Sequence, residues 1–285
     1  MKKSRKIFGY VLYCIVLTLV LLYYRFPSGF LTDYLETKID KAAPAFLVSI
    51  GQVSPTLPFG LKFTQTEVSL KTDPKSSFLK AESLFIRPAL WSFLRGKFQC
   101  CFDCAAYNGD LKGCVRFAKN SVKAPFTSSM DLSDIRIGDC AYISTLLRHN
   151  IKGILSGNIK YSGQYNLLLN GTAEANLKVS DGRIEFSSTI LSLDAIDFNV
   201  LLIKAVMKRR RLDLRRVELK GQEIQGTLSG SISLRRNLLK SGLHLRGSIE
   251  PLDGFTKNAK GAFGRKRRLT FIIHGTIGEP KIKLI

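Results

Sequence analysis

Histidine is almost missing from this chain of 285 residues, with only His149, His244 and His274, widely spaced. Three scattered imidazoles offer neither a spaced zinc-ligand set nor a base converging with other titratable groups. The signature loops of enzymes are missing too: no Walker loop, no dinucleotide-binding glycine fingerprint and no nucleophile elbow occurs. Gly226-Thr-Leu-Ser229-Gly230 alternates like a strand instead of turning sharply into a helix. The sequence therefore predicts a non-catalytic protein with no cofactor and no metal. Acid is scarce as well, with 22 Asp and Glu against 44 Lys and Arg, a net charge of +22. Residues 201 to 285 alone carry 20 basic and 6 acidic side chains. An excess of this kind attracts nucleic acid, anionic membrane surfaces or acidic partners. Two readings stay open for Lys208-Arg209-Arg210-Arg211, Arg215-Arg216 and Arg265-Lys266-Arg267-Arg268: contact with anionic lipid phosphates, or a solvated surface that maintains solubility.

What the chain does have is a run of about 18 uncharged residues, Ile7 to Tyr24, behind Lys2, Lys3, Arg5 and Lys6. As a helix it would be ~27 Å long, near the hydrocarbon thickness of a bilayer. The expectation is a single inner-membrane span, with the basic N-terminus in the cytoplasm and the remainder in the periplasm. A cleaved secretory signal is the rival, but Tyr23-Tyr24-Arg25-Phe26-Pro27 offers no small-residue cleavage pattern. Either way export argues against a nucleic-acid partner. The expected organisation is a stub and anchor over 1–27, a membrane-proximal helix and proline-containing linker over 28–59, and a β-rich domain over 60–285.

Cys14 lies in the apolar run, which leaves Cys100, Cys101, Cys104, Cys114 and Cys140 for an oxidising compartment. Five is odd, so at least one thiol is unpaired within the chain. Structural disulfides are expected without a readable connectivity, although extended backbone points Cys100 and Cys101 to opposite faces. Cys101-Phe-Asp-Cys104 has thiol-exchange spacing, but it reads as strand and lacks the helix N-terminus that would lower a thiol pKa.

Periodicity predicts a helix over Ser28 to Ala43, with Leu31, Tyr34, Leu35 and Ile39 on one side. Pro44, Pro55 and Pro58 should interrupt regular structure before strand alternation sets in from Gly60. Glu82 to Arg87 reads as a strand, Ala89 to Leu94 as a short helix, and Lys97 to Phe117 as a hairpin turning at Asn108-Gly109. Further helices are expected at Cys140 to His149 and at Leu193 to Met207, the latter capped by Asp194 and closed by the Lys208 to Arg211 cluster. Between them, residues 171 to 179 alternate with period two and end in a turn at Ser180-Asp181-Gly182. Gly153-Ile-Leu-Ser-Gly157-Asn-Ile159 is echoed 73 residues later by Gly226-Thr-Leu-Ser-Gly230-Ser-Ile232. Glycines so placed suit bends in a long, curled antiparallel sheet. Its apolar face is expected to form either a lipid-accommodating groove or a closed, filled core.

Several segments together resemble the type II secretion system protein N family and its AsmA-like relatives. The carriers are the N-terminal apolar run, Pro55-Thr-Leu-Pro-Phe-Gly60-Leu-Lys-Phe, Leu90-Trp-Ser-Phe-Leu-Arg-Gly96, Leu155-Ser-Gly157, Leu228-Ser-Gly230 and the ending Gly275-Thr-Ile-Gly-Glu-Pro280-Lys-Ile-Lys-Leu284. The resemblance implies an anchored, periplasmic, β-rich accessory of protein secretion, with inner-membrane secretion-platform proteins as partners. Its AsmA-like side implies the alternative, a protein that binds or transfers envelope phospholipid.

Overall fold

The computed structural model describes residues 2–42, 46–56, 60–71, 73–89, 92, 96–119, 121, 124–147, 149–190, 193–252 and 268–285. Two helices come first, α1 (Lys2–Tyr24) and α2 (Ser28–Ala42). Strands β1 (Phe46–Thr56), β2 (Gly60–Leu70), β3 (Asp73–Pro88), β4 (Gln99–Ala106), β5 (Gly109–Phe117) and β6 (Phe126–Arg136) lead to a short helix, α3 (Ala141–Leu147). The chain continues with β7 (Asn150–Gly163), β8 (Thr172–Ile190), β9 (Leu193–Lys208), β10 (Arg211–Lys220), β11 (Ile224–Ser233), β12 (Gly242–Pro251), β13 (Leu269–Thr276) and β14 (Pro280–Leu284). All fourteen strands lie in one antiparallel sheet in the order of the sequence, β1 to β14. The first and last strands do not pair with each other, so the sheet is not a closed barrel.

A helix does form over α1, yet among the described residues no helix is long and apolar enough to cross a membrane. The expected architecture of a spanning anchor followed by a sheet is corrected accordingly, and so is the single-pass inner-membrane address that depended on it. The helix takes Lys2, Lys3, Arg5 and Lys6 into its first turns. Gly9, Tyr10, Tyr13, Thr18 and the Tyr23-Tyr24 pair then interrupt its apolar run. α2 does not stand apart from the sheet: Leu31, Leu35 and Ile39 pack on Ile50, Val53 and Phe63 of β1 and β2. Much of the stretch read as a proline-containing linker is β1, where Pro55 sits opposite Leu61 at the edge of the sheet.

Three turns differ from expectation. The β4–β5 hairpin turns at Tyr107 (φ 54°) and Asn108 (φ 58°), one residue before the predicted pair. Gly109 is needed inside β5, since a Cβ there would lie 2.6 Å from the Asp134 carbonyl of β6. Tyr107 is held in the turn because its hydroxyl accepts from the Lys80 N–H (3.1 Å) and its carbonyl accepts from the Arg136 N–H (3.0 Å). At Ser180-Asp181-Gly182 the strand does not end; Asp181 (φ 49°) forms a bulge and β8 runs on. Leu193 to Met207 is not a helix but nearly all of β9, registered between β8 and β10, and Arg209 and Arg210 supply its tight turn. The predicted helix over residues 89–94 lies mostly outside the described residues.

The bulges explain the helical look of β9. Ile196, Phe198, Leu201, Ile203 and Ala205 lie on its apolar face, the three-residue step between Phe198 and Leu201 imitates helical spacing, and Val200, Leu202, Val206 and Met207, also partly shielded, fill the positions between. The same phase slip occurs in β10, where Leu212 and Leu214 are followed by Val217 and Leu219. Each slip keeps apolar side chains on one face after the strand has been bent.

Gly157 (φ 148°) and Gly230 (φ 134°), the paired glycines of the two sequence echoes, occupy matching places in β7 and β11. A Cβ on Gly157 would overlap the Asn176 carbonyl, and one on Gly230 would overlap the His244 carbonyl. Gly157→Ala is therefore expected to lower stability by about 2–3 kcal/mol in urea unfolding, through combined backbone strain and overlap. Gly29→Ala, with open space around it in α2, should raise stability by about 0.5 kcal/mol.

Candidate functional site

Following the register from strand to strand identifies the site. One row of cross-strand neighbours begins Pro55, Leu61, Ile86, Phe102, Gly113, Met130 and Ile159. It continues through Ala175, Ala205, Leu214, Gly230, Leu245, Ile273 and Ile282. The adjacent row runs Val53, Phe63, Leu84, Cys104, Leu111, Leu132 and Gly157, then Leu177, Ile203, Val217, Leu228, Gly247, Phe271 and Leu284. Neither row contains a charged side chain or a hydrogen-bonding amide or hydroxyl. Every one of the fourteen strands contributes, so the apolar surface is continuous from one end of the sheet to the other.

Two alternating faces account for this. In β6, Phe126, Ser128, Met130 and Leu132 are shielded while Thr127, Ser129, Asp131 and Ser133 are exposed. Among the described residues no second sheet lies over the apolar face. α2 covers only its β1–β2 end, and α3 sits near β3 and β7, where Tyr142 meets Phe78 edge-on at 6.1 Å. Val53 is screened by α2, and Val179 and Phe198 are screened midway along the sheet by Ile137 of the β6–β7 connection and Ile143 of α3. Leu132, Leu177, Ile203, Val217 and Leu228 remain half-buried, short of the full burial a second layer would provide. Among the described residues no second layer closes over this face, which forms an open apolar trough with local cover from α2 and α3.

The cysteines divide between the faces as extended geometry requires. Cys101 and Cys114 oppose each other on the polar face and form a disulfide. Cys100 and Cys104 lie on the apolar side and are free, as is Cys140. Cys101 and Cys104, three residues apart in a strand, point away from each other and do not form an exchanging pair. The connectivity follows from the hairpin turn. A turn at Asn108-Gly109 would have put Arg116 opposite Cys101, whereas the turn at Tyr107–Asn108 puts Cys114 there.

Cys104, Cys140 and Tyr107 form a buried polar group beneath the β4–β5 turn. The Cys140 thiol donates weakly to the Phe78 carbonyl at 3.9 Å. Burial first, and then the Asp103 and Asp110 carboxylates, push the Cys104 thiol up to about 11. Burial, followed by the hydrogen bond to Cys140, raises the Tyr107 hydroxyl as well. A thiol raised as Cys104 is stays protonated and poorly nucleophilic, which suits a structural role.

Lys208, Arg209, Arg210 and Arg211 lie at the β9–β10 turn, away from the cysteines; Arg211 Nε pairs with Asp213 at 2.7 Å and Arg210 Nε donates to Asn170 at 2.9 Å. Of the other basic cluster, residues 265–267 lie outside the described residues, and Arg268 pairs with Glu250 at 2.6 Å. His244 and His274 prove to be direct cross-strand partners on the polar face, which the separation of 30 residues in sequence did not reveal. Only the β12–β13 register brings them together. Among the described residues no group of three His, Cys, Asp or Glu side chains is placed to hold a metal ion. No family model, curated protein or solved structure matches this chain.

Two outcomes follow from the thiols. Cys101→Ser should cost about 3 kcal/mol, the loop-closure value for a bridge spanning 13 residues, and mass mapping without reductant should recover the 101–114 pair. Because the folded Cys104 pKa lies above its ordinary 9, its contribution to stability is complete below pH 9 and is lost as pH rises through about 11. Cys104→Ala should remove that part of the alkaline decline, read as melting temperature against pH.

Proposed function

We propose that this protein binds acyl lipid along its apolar trough and works as a lipid carrier or conduit. The observation that carries the reading is the pair of unbroken apolar rows crossing all fourteen strands, with no second sheet over them among the described residues. Thirteen interstrand steps of about 4.8 Å make the trough roughly 60 Å long, about twice the ~30 Å hydrocarbon core of a bilayer. Rows spaced by about 6.8 Å give it a width suited to flexible chains more than to one rigid ligand. An exposed apolar surface of this extent in water is stabilised by an apolar occupant. Polar contacts within the two rows are missing, as expected of a site that holds hydrocarbon and leaves headgroups in solvent.

The occupant class this reading names is the phospholipid already implied by the AsmA-like side of the resemblance. A role as an accessory of protein secretion rests on the resemblance alone, and nothing in the trough favours it.

The experiment is lipid extraction from the purified full chain, with mass spectrometry of the extract. Phospholipid or fatty acid in stoichiometric amount is expected, and a lipid-free protein that fails to take up a fluorescent fatty acid would refute the reading. Neighbouring residues sharpen it. Ile273→Glu, in an apolar row, should weaken uptake about tenfold or more, while Ile272→Glu, on the opposite face, should leave it unchanged. Matching circular dichroism would show that both variants keep the sheet.

A further inference from the structure

The two long margins of the trough, formed by the alternate ends of the strands, differ in chemistry. On the margin holding the β7–β8, β9–β10 and β11–β12 connections, Lys208, Arg209, Arg210, Arg235, Arg236 and Lys240 are all exposed. Among the described residues none of these six has an ion-pair partner. The opposite margin is mixed, with Asp134, Asp139, Asp181, Asp197 and Glu223 set among its basic residues. Behind the basic margin a cavity of about 700 Å³ on the sheet adds Arg116, Lys160 and Arg215 to Lys208.

Aliphatic side chains stand among these cations and point outward. Leu167 (48% exposed), Leu168 (42%) and Leu239 (39%) lie in the short 3-10 segments Tyr165–Asn170 and Leu238–Lys240. Backbone bonds tie the connections into one surface. Arg210 N–H donates to Leu169 (2.7 Å), Leu234 N–H donates to Arg210 (2.7 Å), and Gly278 N–H of the β13–β14 turn donates to Leu239 (2.9 Å). Cations and leucines are thus presented together, on a backbone already ordered before any partner arrives.

We propose that this margin docks the protein peripherally on an anionic bilayer surface. Unpaired arginines and lysines meet lipid phosphates, and the leucines enter the boundary between headgroups and acyl chains. Charge alone would also serve a nucleic acid, but single strands are held by successive aromatic stacking platforms, and here three leucines and the single aromatic Tyr165 stand exposed between the cations. Docked by this edge, the trough opens along the membrane from which lipid is drawn. In that last respect the inference rests on the lipid-binding reading, whereas docking itself does not.

The test is flotation of the full chain with phosphatidylcholine vesicles, with and without phosphatidylglycerol. Binding should require the anionic lipid and weaken with added salt. Arg209→Gln, Arg235→Gln and Arg236→Gln together should reduce it on the order of a hundredfold, at about fivefold for each cation lost. Leu167→Ser with Leu168→Ser should remove the part that persists at high salt. Lys152→Gln with Lys220→Gln, on the opposite margin, should leave binding unchanged. Equal binding to both vesicle types, no loss in the arginine variant, or capture of a single-stranded oligonucleotide without vesicle binding would each overturn docking. Lipid extracted from the same preparations separates the two ideas: a lipid-loaded chain that ignores vesicles sinks docking alone, and a lipid-free chain that floats with them sinks the trough reading alone.

Discussion

Nearest-neighbour registration is the constraint on which the rest depends. Every strand pairs with the strands before and after it in sequence, so a period-two pattern in one is carried sideways into the next. A slip of one residue at any hairpin would turn that strand's apolar side chains to the opposite face. Seven of the thirteen pairings contain a bulge or irregularity, and the apolar rows still cross them without a break. The bulges keep the face consistent because the sequence shifts phase where the backbone does, as in Leu214 to Val217.

Such an arrangement is close to one-dimensional. Each strand contacts mainly its two neighbours, so stability accumulates as a sum of adjacent interfaces, as it does in repeat proteins. The matching glycines of β7 and β11 fit that picture: two places in the sheet meet the same crowding from a neighbouring carbonyl and answer it with the same residue. The consequence for function is that no compact pocket needs to be assembled from distant parts of the chain. The surface is built by addition, and its length follows from the number of strands.

The polar face and the two margins complete the chemistry. Ion pairs on the polar face, such as Arg183 with Asp197 and Lys80 with Glu67, are exposed and add little to stability. They keep that face wet, which leaves the apolar face as the place where an occupant gains most. Lys208, Arg209, Arg210, Arg235, Arg236 and Lys240, without ion-pair partners among the described residues, stand together at one margin, where loops and turns allow positive φ angles. Charge, apolar surface and solvent-facing hydroxyls are thereby sorted by strand geometry into separate zones.

Strand alternation in residues 171 to 179, the helix at Ser28 and the opposite-facing Cys100 and Cys101 were legible in the sequence, because each depends only on local periodicity. The β-rich character follows from the same signal. β9 was not legible: its apolar residues are nearly continuous and include a three-residue step from Phe198 to Leu201, and only the flanking strands distinguish that pattern from a helix. The disulfide was not legible either, since a one-residue move of the hairpin turn changes which residue faces Cys101, and that move is imposed by Gly109 against β6 and by the contacts of Tyr107. The apolar run at the N-terminus promised a membrane span, while α1 begins among its basic residues and does not qualify among the described residues. Alone, then, the sequence determined which residues are apolar and with what period. The tertiary structure decided which of them share a row, because cross-strand register is a relation between residues far apart in the chain.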